Sequence, residues 1–163
     1  MPSKTEIINS IAKELRIVSH LAGKLEESHL GFRFTPGQRS TRELLEYLAT
    51  TAEGAVRFLL TGTRDGGDLL RKEVEGLSLS AFPDAFARQI STVEKLLEPL
   101  TDEEFATRKV RNGQGVELPL AEALFEGIVK QLVGYKTQLF LQAKAAGVAP
   151  LGSTNLWRGA DPA

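Results

Sequence analysis

The spacing of the apolar residues constrains this chain more than any other feature. Ile8, Ile11, Leu15, Val18, Ala22 and Leu25 alternate steps of three and four, which puts them on one face of a helix beginning near Ser3, with His29 continuing the spacing at its end. Ser3 and Glu6 have the spacing of a capping box, in which hydroxyl and carboxylate each satisfy a free amide of the first turn. After a turn at Pro36 and Gly37, Ser40 and Glu43 repeat that signal. A second helix follows, with Leu45, Leu48, Ala52, Ala55 and Leu59 on its apolar line and Tyr47, Thr51 and Phe58 beside it. A third predicted helix starts at Ser80 or Ala81. It tolerates Pro83 in its first turn, presents Phe82, Phe86, Ile90, Val93, Leu97 and Leu100, and is stopped at Pro99. From Pro119 the pattern returns over Ala121, Leu124, Ile128, Tyr135, Leu139 and Gln142, with Phe125 and Leu132 alongside, until Gly147 and Pro150 end it.

Each of these faces needs a partner, and four long amphipathic helices satisfy one another in a four-helix bundle, so the expected class is all-α. "TGTRDGGD", residues 61–68, reads as a surface connection, because it lacks the lysine pattern and preceding strand of a phosphate loop. "TDEE" from Thr101 caps a short turn. The alternation around Asn112 and Gly113 predicts a short hairpin or an ordered loop before the last long helix. No repeat or composition shift divides the chain, so residues 1–163 are expected to form a single domain. Residues 148–163 are expected to be a C-terminal packing tail in which Val148, Leu151, Leu156 and Trp157 fold back over the bundle and shield the tryptophan from water.

The formal net charge of −1 gives no broad field for nucleic acid or an anionic membrane surface. The absence of cysteine excludes a disulfide framework, a thiolate metal site and a catalytic thiol, and fits a cytoplasmic setting. No apolar run reaches the roughly 18 residues of a spanning helix, and the N-terminus has no signal-peptide core.

"FRFTPGQRSTRELLEYLA" at the second helix entrance, "LPLAEALFEGIVKQLVGYKTQLFLQAKAAGVAP" over the last helix with its Gly-Val-x-Pro exit, and their order around a poorly patterned middle resemble the DinB-like (DinB/YfiT-like) four-helix family. The resemblance implies a DinB-like four-helix bundle. In many members three histidines, one from the second helix and two from the last, hold a metal. Those positions fall on Tyr47, Gln131 and Tyr135, and none is histidine. Gln131 and Tyr135 are spaced to share a helix face, but an amide and a phenol replace imidazole poorly at zinc or nickel. The resemblance therefore implies a degenerate metal site, with no metal and no cofactor expected. Tyr47, Gln131 and Tyr135 read either as a satisfied polar patch in the core or as the lining of a small-molecule pocket.

No catalytic residue is assigned. His20 and His29 stand about 13 Å apart along a continuous helix and cannot share one metal ion. Glu43, Glu46, Glu53, Glu122 and Glu126 read as caps or solvated faces. The function expected is that of a non-metal DinB-like protein that binds a small molecule or is stress-associated. The alternatives are a divergent metal-dependent or thiol-dependent transferase or hydrolase, and a structural module whose apolar margins at Phe58, Phe86 and Phe125 form a homodimer.

Overall fold

The computed structural model describes residues 2–163. Ser3 Oγ accepts the Glu6 amide at 3.3 Å and Glu6 accepts the Ser3 amide at 2.8 Å, so α1 (Lys4–Ala22) starts from a closed capping box. Ile7, Ile11, Leu15, Val18 and Leu21 form its buried face. The helix stops at Gly23, short of the expected end. His29 belongs to a separate 3-10 turn (Glu27–His29), where its Nδ1 accepts the Glu26 amide at 2.9 Å.

The second helix is interrupted where continuity was expected. α2 (Thr41–Leu48) opens with the Ser40–Glu43 capping box, and α3 (Thr51–Thr61) restarts after a break at Ala49 and Thr50. Thr50 occupies the N-cap of α3, but its hydroxyl turns back and donates to the Tyr47 carbonyl at 3.2 Å. Gln89, reaching across from α5 (Phe82–Leu97) and only 1% exposed, takes over that duty. Its Oε1 accepts the amides of Ala52 at 2.8 Å and Glu53 at 3.1 Å, and its Nε2 donates to the Leu48 carbonyl at 2.9 Å. One buried amide thus satisfies both sides of the break.

Most of the expected 61–68 connection is also helix: α4 spans Asp65–Val74. Asp65 and Asp68 sit in its first turn, where negative charge favours the helix dipole, and Leu70 and Val74 bury its inner face. Gly66 and Gly67 are carried in its first turn, where α3 comes alongside: a Cβ at Gly54 would stand 3.6 Å from the Gly67 Cα, an ordinary van der Waals distance. α6 (Asp102–Thr107) is capped by Thr101 and Glu104. β1 (Lys109–Arg111) then pairs antiparallel with β2 (Glu117–Pro119), with Val110 opposite Leu118. Asn112 Oδ1 folds the connecting loop by accepting the amides of Gln114 at 3.0 Å and Val116 at 2.9 Å.

The last long helix runs through α7 (Leu120–Leu124), a π-turn (Phe125–Val129) and α8 (Lys130–Ala145). α1 packs on α5 and α8, α2 on α8, and α3 on α5, so the four-helix core comprises α1, the interrupted α2–α3 pair, α5 and the last helix. Phe86 is 1% exposed and completes this chain's own core, which removes it from the expected dimer surface; Phe58 and Phe125 stay half-buried. Two polar side chains reinforce the core. Lys136 Nζ meets Glu14 Oε2 at 2.6 Å with both residues buried, and Gln142 Nε2 donates to the Phe32 and Arg39 carbonyls at 3.2 and 3.1 Å, pinning the loop ahead of α2. No described helix is long and apolar enough to cross a membrane.

α9 (Ser153–Arg158) lies against α1 and α8. Leu151, Asn155 and Leu156 are its buried contacts, whereas Trp157 is 55% exposed, contrary to the expected shielding. Successive helical residues turn by about 100°, so a helix that buries 155 and 156 rotates 157 outward. The indole lies beside the Lys136 ammonium, 4.7 Å from its ring centroid.

Candidate functional site

A cleft of about 380 Å³ opens between α3, α4, the hairpin loop and the π-turn of the last helix. Small residues create it: Gly54 and Ala55 on α3 face Ala123 and Gly127 on the last helix, and the space around a Cβ at Gly127 is open to beyond 4 Å. The π-turn widens the helix where Gly127 and Ile128 form the wall, a geometry common at binding sites. Leu59, Phe58 and Ile128 supply apolar surface; Thr51, Asn112 and Gln131 supply neutral polar groups; Arg64 and Arg71 supply charge.

The structure divides the three predicted site residues. Tyr47 and Gln131 line the cleft, with Gln131 Oε1 accepting the Thr51 hydroxyl at 3.4 Å. Tyr135 is absent from that lining and packs edge-on against Tyr47, their centroids 5.0 Å apart. Arg39 completes this second group. Its guanidinium carbon stands 4.1 Å from the Tyr47 centroid and 5.6 Å from that of Tyr135, and Nη1 donates to the Tyr135 hydroxyl at 3.5 Å. Residues 47, 131 and 135 therefore belong to neighbouring arrangements joined through Tyr47.

These donors do not fit a transition-metal centre. They are two phenols and an amide, Gln131 and Tyr135 already accept hydrogen bonds, and the Arg39 guanidinium places a fixed positive charge against both rings. Among the described residues no group of three or more His, Cys, Asp or Glu side chains is placed to hold a metal ion.

The remaining titratable groups serve the scaffold. Asn155 Nδ2, which can only donate, lies 3.1 Å from His20 Nε2, so that ring nitrogen accepts and the imidazole proton resides on Nδ1. Burial lowers the His20 pKa below its ordinary value; the Lys24 charge acts in the same direction and Asp161 opposes both. Glu43 is held low by the Ser40 amide it caps, and Glu46 Oε1 accepts the Gly76 amide at 3.0 Å. Glu53 departs from the solvated-face reading: it is buried, and its Oε1 pairs with Arg57 Nη2 at 2.8 Å and Nε at 2.9 Å.

Arg39, Arg64, Arg71 and Asn112 are among the site residues that periodicity missed. Arg39 stands one residue before a capping box, and Arg64 one residue before α4; neither position carries a sequence signal for the aromatic ring its guanidinium reaches.

No protein-family model matches the chain, and no curated protein sequence matches it. A DinB-like protein from Bacillus subtilis, known from its crystal structure, is similar to it with a TM-score of 0.68 and 16% sequence identity, over 90% of this chain and 95% of that one. The fold is thus an all-α DinB-like bundle with a small β-hairpin before the final long helix, and it lacks a metal-binding cluster among the described residues.

Proposed function

We propose that this DinB-like bundle binds a small molecule without a metal, and that the cleft beside α3 and the π-turn is its site. The supporting observation is the cleft itself, about 380 Å³ with an apolar floor and a few convergent polar groups, within the range of roughly 300 to 1,000 Å³ that ligand pockets occupy. Its lining offers hydroxyls, amides and guanidiniums, which orient and hold a ligand. It contributes no histidine, carboxylate or thiol to move a proton or attack a bond. Retention of a ligand is the activity this chemistry favours.

The test is binding of a fluorescent phenylnaphthylamine probe, neutral or anionic, to the full chain and to Gly127→Leu, whose side chain enters the open space of the cleft. Saturable binding near one equivalent that the substitution abolishes is expected. Absence of saturable binding, or binding indifferent to residue 127, overturns the assignment.

A further inference from the structure

The charged side chains on the cleft have one sign. Arg64 and Arg71 line it and no carboxylate does, in a chain whose 20 Lys and Arg are balanced by 21 Asp and Glu. The positive rim is therefore a local arrangement, and it sits beside the low-dielectric floor that strengthens its field. Arg71 is already paired with Asp68 one turn earlier on α4. Arg64 has no carboxylate partner among the described residues. Its guanidinium carbon lies 5.1 Å from the Phe58 ring centroid, and its Nη2 stands 3.5 Å from where a Cβ at Gly113 would be. Phe58 thus orients the guanidinium through its ring face, and the hairpin loop at residue 113 lies beside it. The same ring also lines the cleft, so a cation and an apolar surface adjoin at the mouth.

We infer that the ligand of this cleft is an amphipathic organic anion: a carboxylate, sulfonate or phosphate engages Arg64, and an aromatic or short aliphatic body lies on Phe58, Ala55 and Ile128. The inference rests on the cleft being the binding site and names the class of ligand it takes. Arg71 adds to the attraction from two turns further along α4, with its share reduced by Asp68. A cationic ligand meets two guanidiniums and no carboxylate in the lining. A neutral one leaves the guanidinium of Arg64 unused.

Two probes share one body and differ in a single charge: N-phenyl-1-naphthylamine is neutral, and 8-anilinonaphthalene-1-sulfonate is the same amine bearing a sulfonate. Both are titrated by fluorescence into the full chain, Arg64→Gln, Arg71→Gln and Gly127→Leu, with each variant's unfolding midpoint recorded. The unmodified chain is expected to prefer the anionic probe by about tenfold or more, the scale of one charge-assisted hydrogen bond. Arg64→Gln is expected to remove most of that preference by weakening the anionic probe, leaving the small remainder that Arg71 supplies, and Arg71→Gln to reduce the preference less. Equal affinity for the two probes, or a preference that Arg64→Gln does not diminish, overturns the anionic ligand and leaves the cleft assignment standing. Failure of both probes to bind saturably, or binding that Gly127→Leu does not affect, overturns the cleft and the inference together.

Discussion

Replacing Gln89 by leucine removes the side chain that satisfies the break between α2 and α3, at nearly constant volume. Three main-chain groups lose their partner: the amides of Ala52 and Glu53 and the carbonyl of Leu48. All three residues are buried, so water replaces those bonds poorly. At about 1 kcal/mol or somewhat more per buried group left unpaired, the loss comes to about 3 kcal/mol. The added apolar contact of leucine returns about 1 kcal/mol, leaving a net destabilisation of about 2 kcal/mol. For a domain of this size that corresponds to about 4 to 8 °C in Tm. Equilibrium urea unfolding measures the total, and native-state hydrogen exchange separates the cause. A general loss of core packing speeds exchange throughout the bundle, whereas loss of the Gln89 carbonyl exposes Ala52 and Glu53 first. Because Thr51 and Gly54 enter the cleft from the same turn, probe binding should weaken as well. An unchanged midpoint together with parental protection at Ala52 and Glu53 refutes the capping role.

The other predictions test the core, the tail and the response to pH. Glu14→Leu strands the buried Lys136 ammonium and is expected to cost roughly 3 to 5 kcal/mol, most of it recovered in Glu14→Leu/Lys136→Met; equal unfolding midpoints for the single and double variants contradict a stranded charge. Leu156→Ala is expected to destabilise by roughly 2 to 3 kcal/mol and Trp157→Ala by less than about 1 kcal/mol, with solvent-like tryptophan emission from the full chain; blue-shifted emission or the reverse order of stabilities refutes the docked Leu156 and outward Trp157. With its pKa lowered on folding from the ordinary 6.5, His20 binds its proton more readily in the unfolded chain, so its contribution is complete above that value and is lost as pH falls toward the folded pKa. In urea midpoints measured against pH, His20→Gln should flatten that segment, while the later loss at lower pH persists as Asp161, held low by Lys24, and Glu43, held low by Ser40, take up protons; an unaltered profile contradicts the role of His20.

Helix positions were legible wherever local chemistry and core position agreed. Ser3 with Glu6 and Ser40 with Glu43 mark helix starts because both partners lie within one turn, and the structure closes both boxes. The α2–α3 break was hidden because its compensating group, Gln89, lies 37 residues from Ala52 and looks like an ordinary polar helix residue. α4 was hidden for the opposite reason. Gly66 and Gly67 favour a loop locally, but burial of Leu70 and Val74 on the inner face of the helix overrides that preference. Of the candidate site, Tyr47 and Gln131 were reachable through the family resemblance. The positive rim depends on Arg64 meeting Phe58 across a turn and Gly113 across the hairpin loop, which no spacing within one helix encodes.

The π-turn determines where this protein can change length. Leu120, Leu124, Ile128, Leu132 and Lys136 are all buried and all four apart. In an uninterrupted α-helix each such step advances about 40°, so the last of them would have drifted about 160° toward solvent. The wide turn at Phe125–Val129 absorbs one residue's rotation and keeps both ends of the series facing inward. A chain lacking Gly127 should therefore form a plain α-helix with its two flanks still in phase, whereas loss of Gly134 swings one flank by about 100° against the other. The π-turn of the last helix is thus a site where one residue can be lost, and it coincides with the wall of the cleft, so ligand space can be remodelled there while the flanks keep their register.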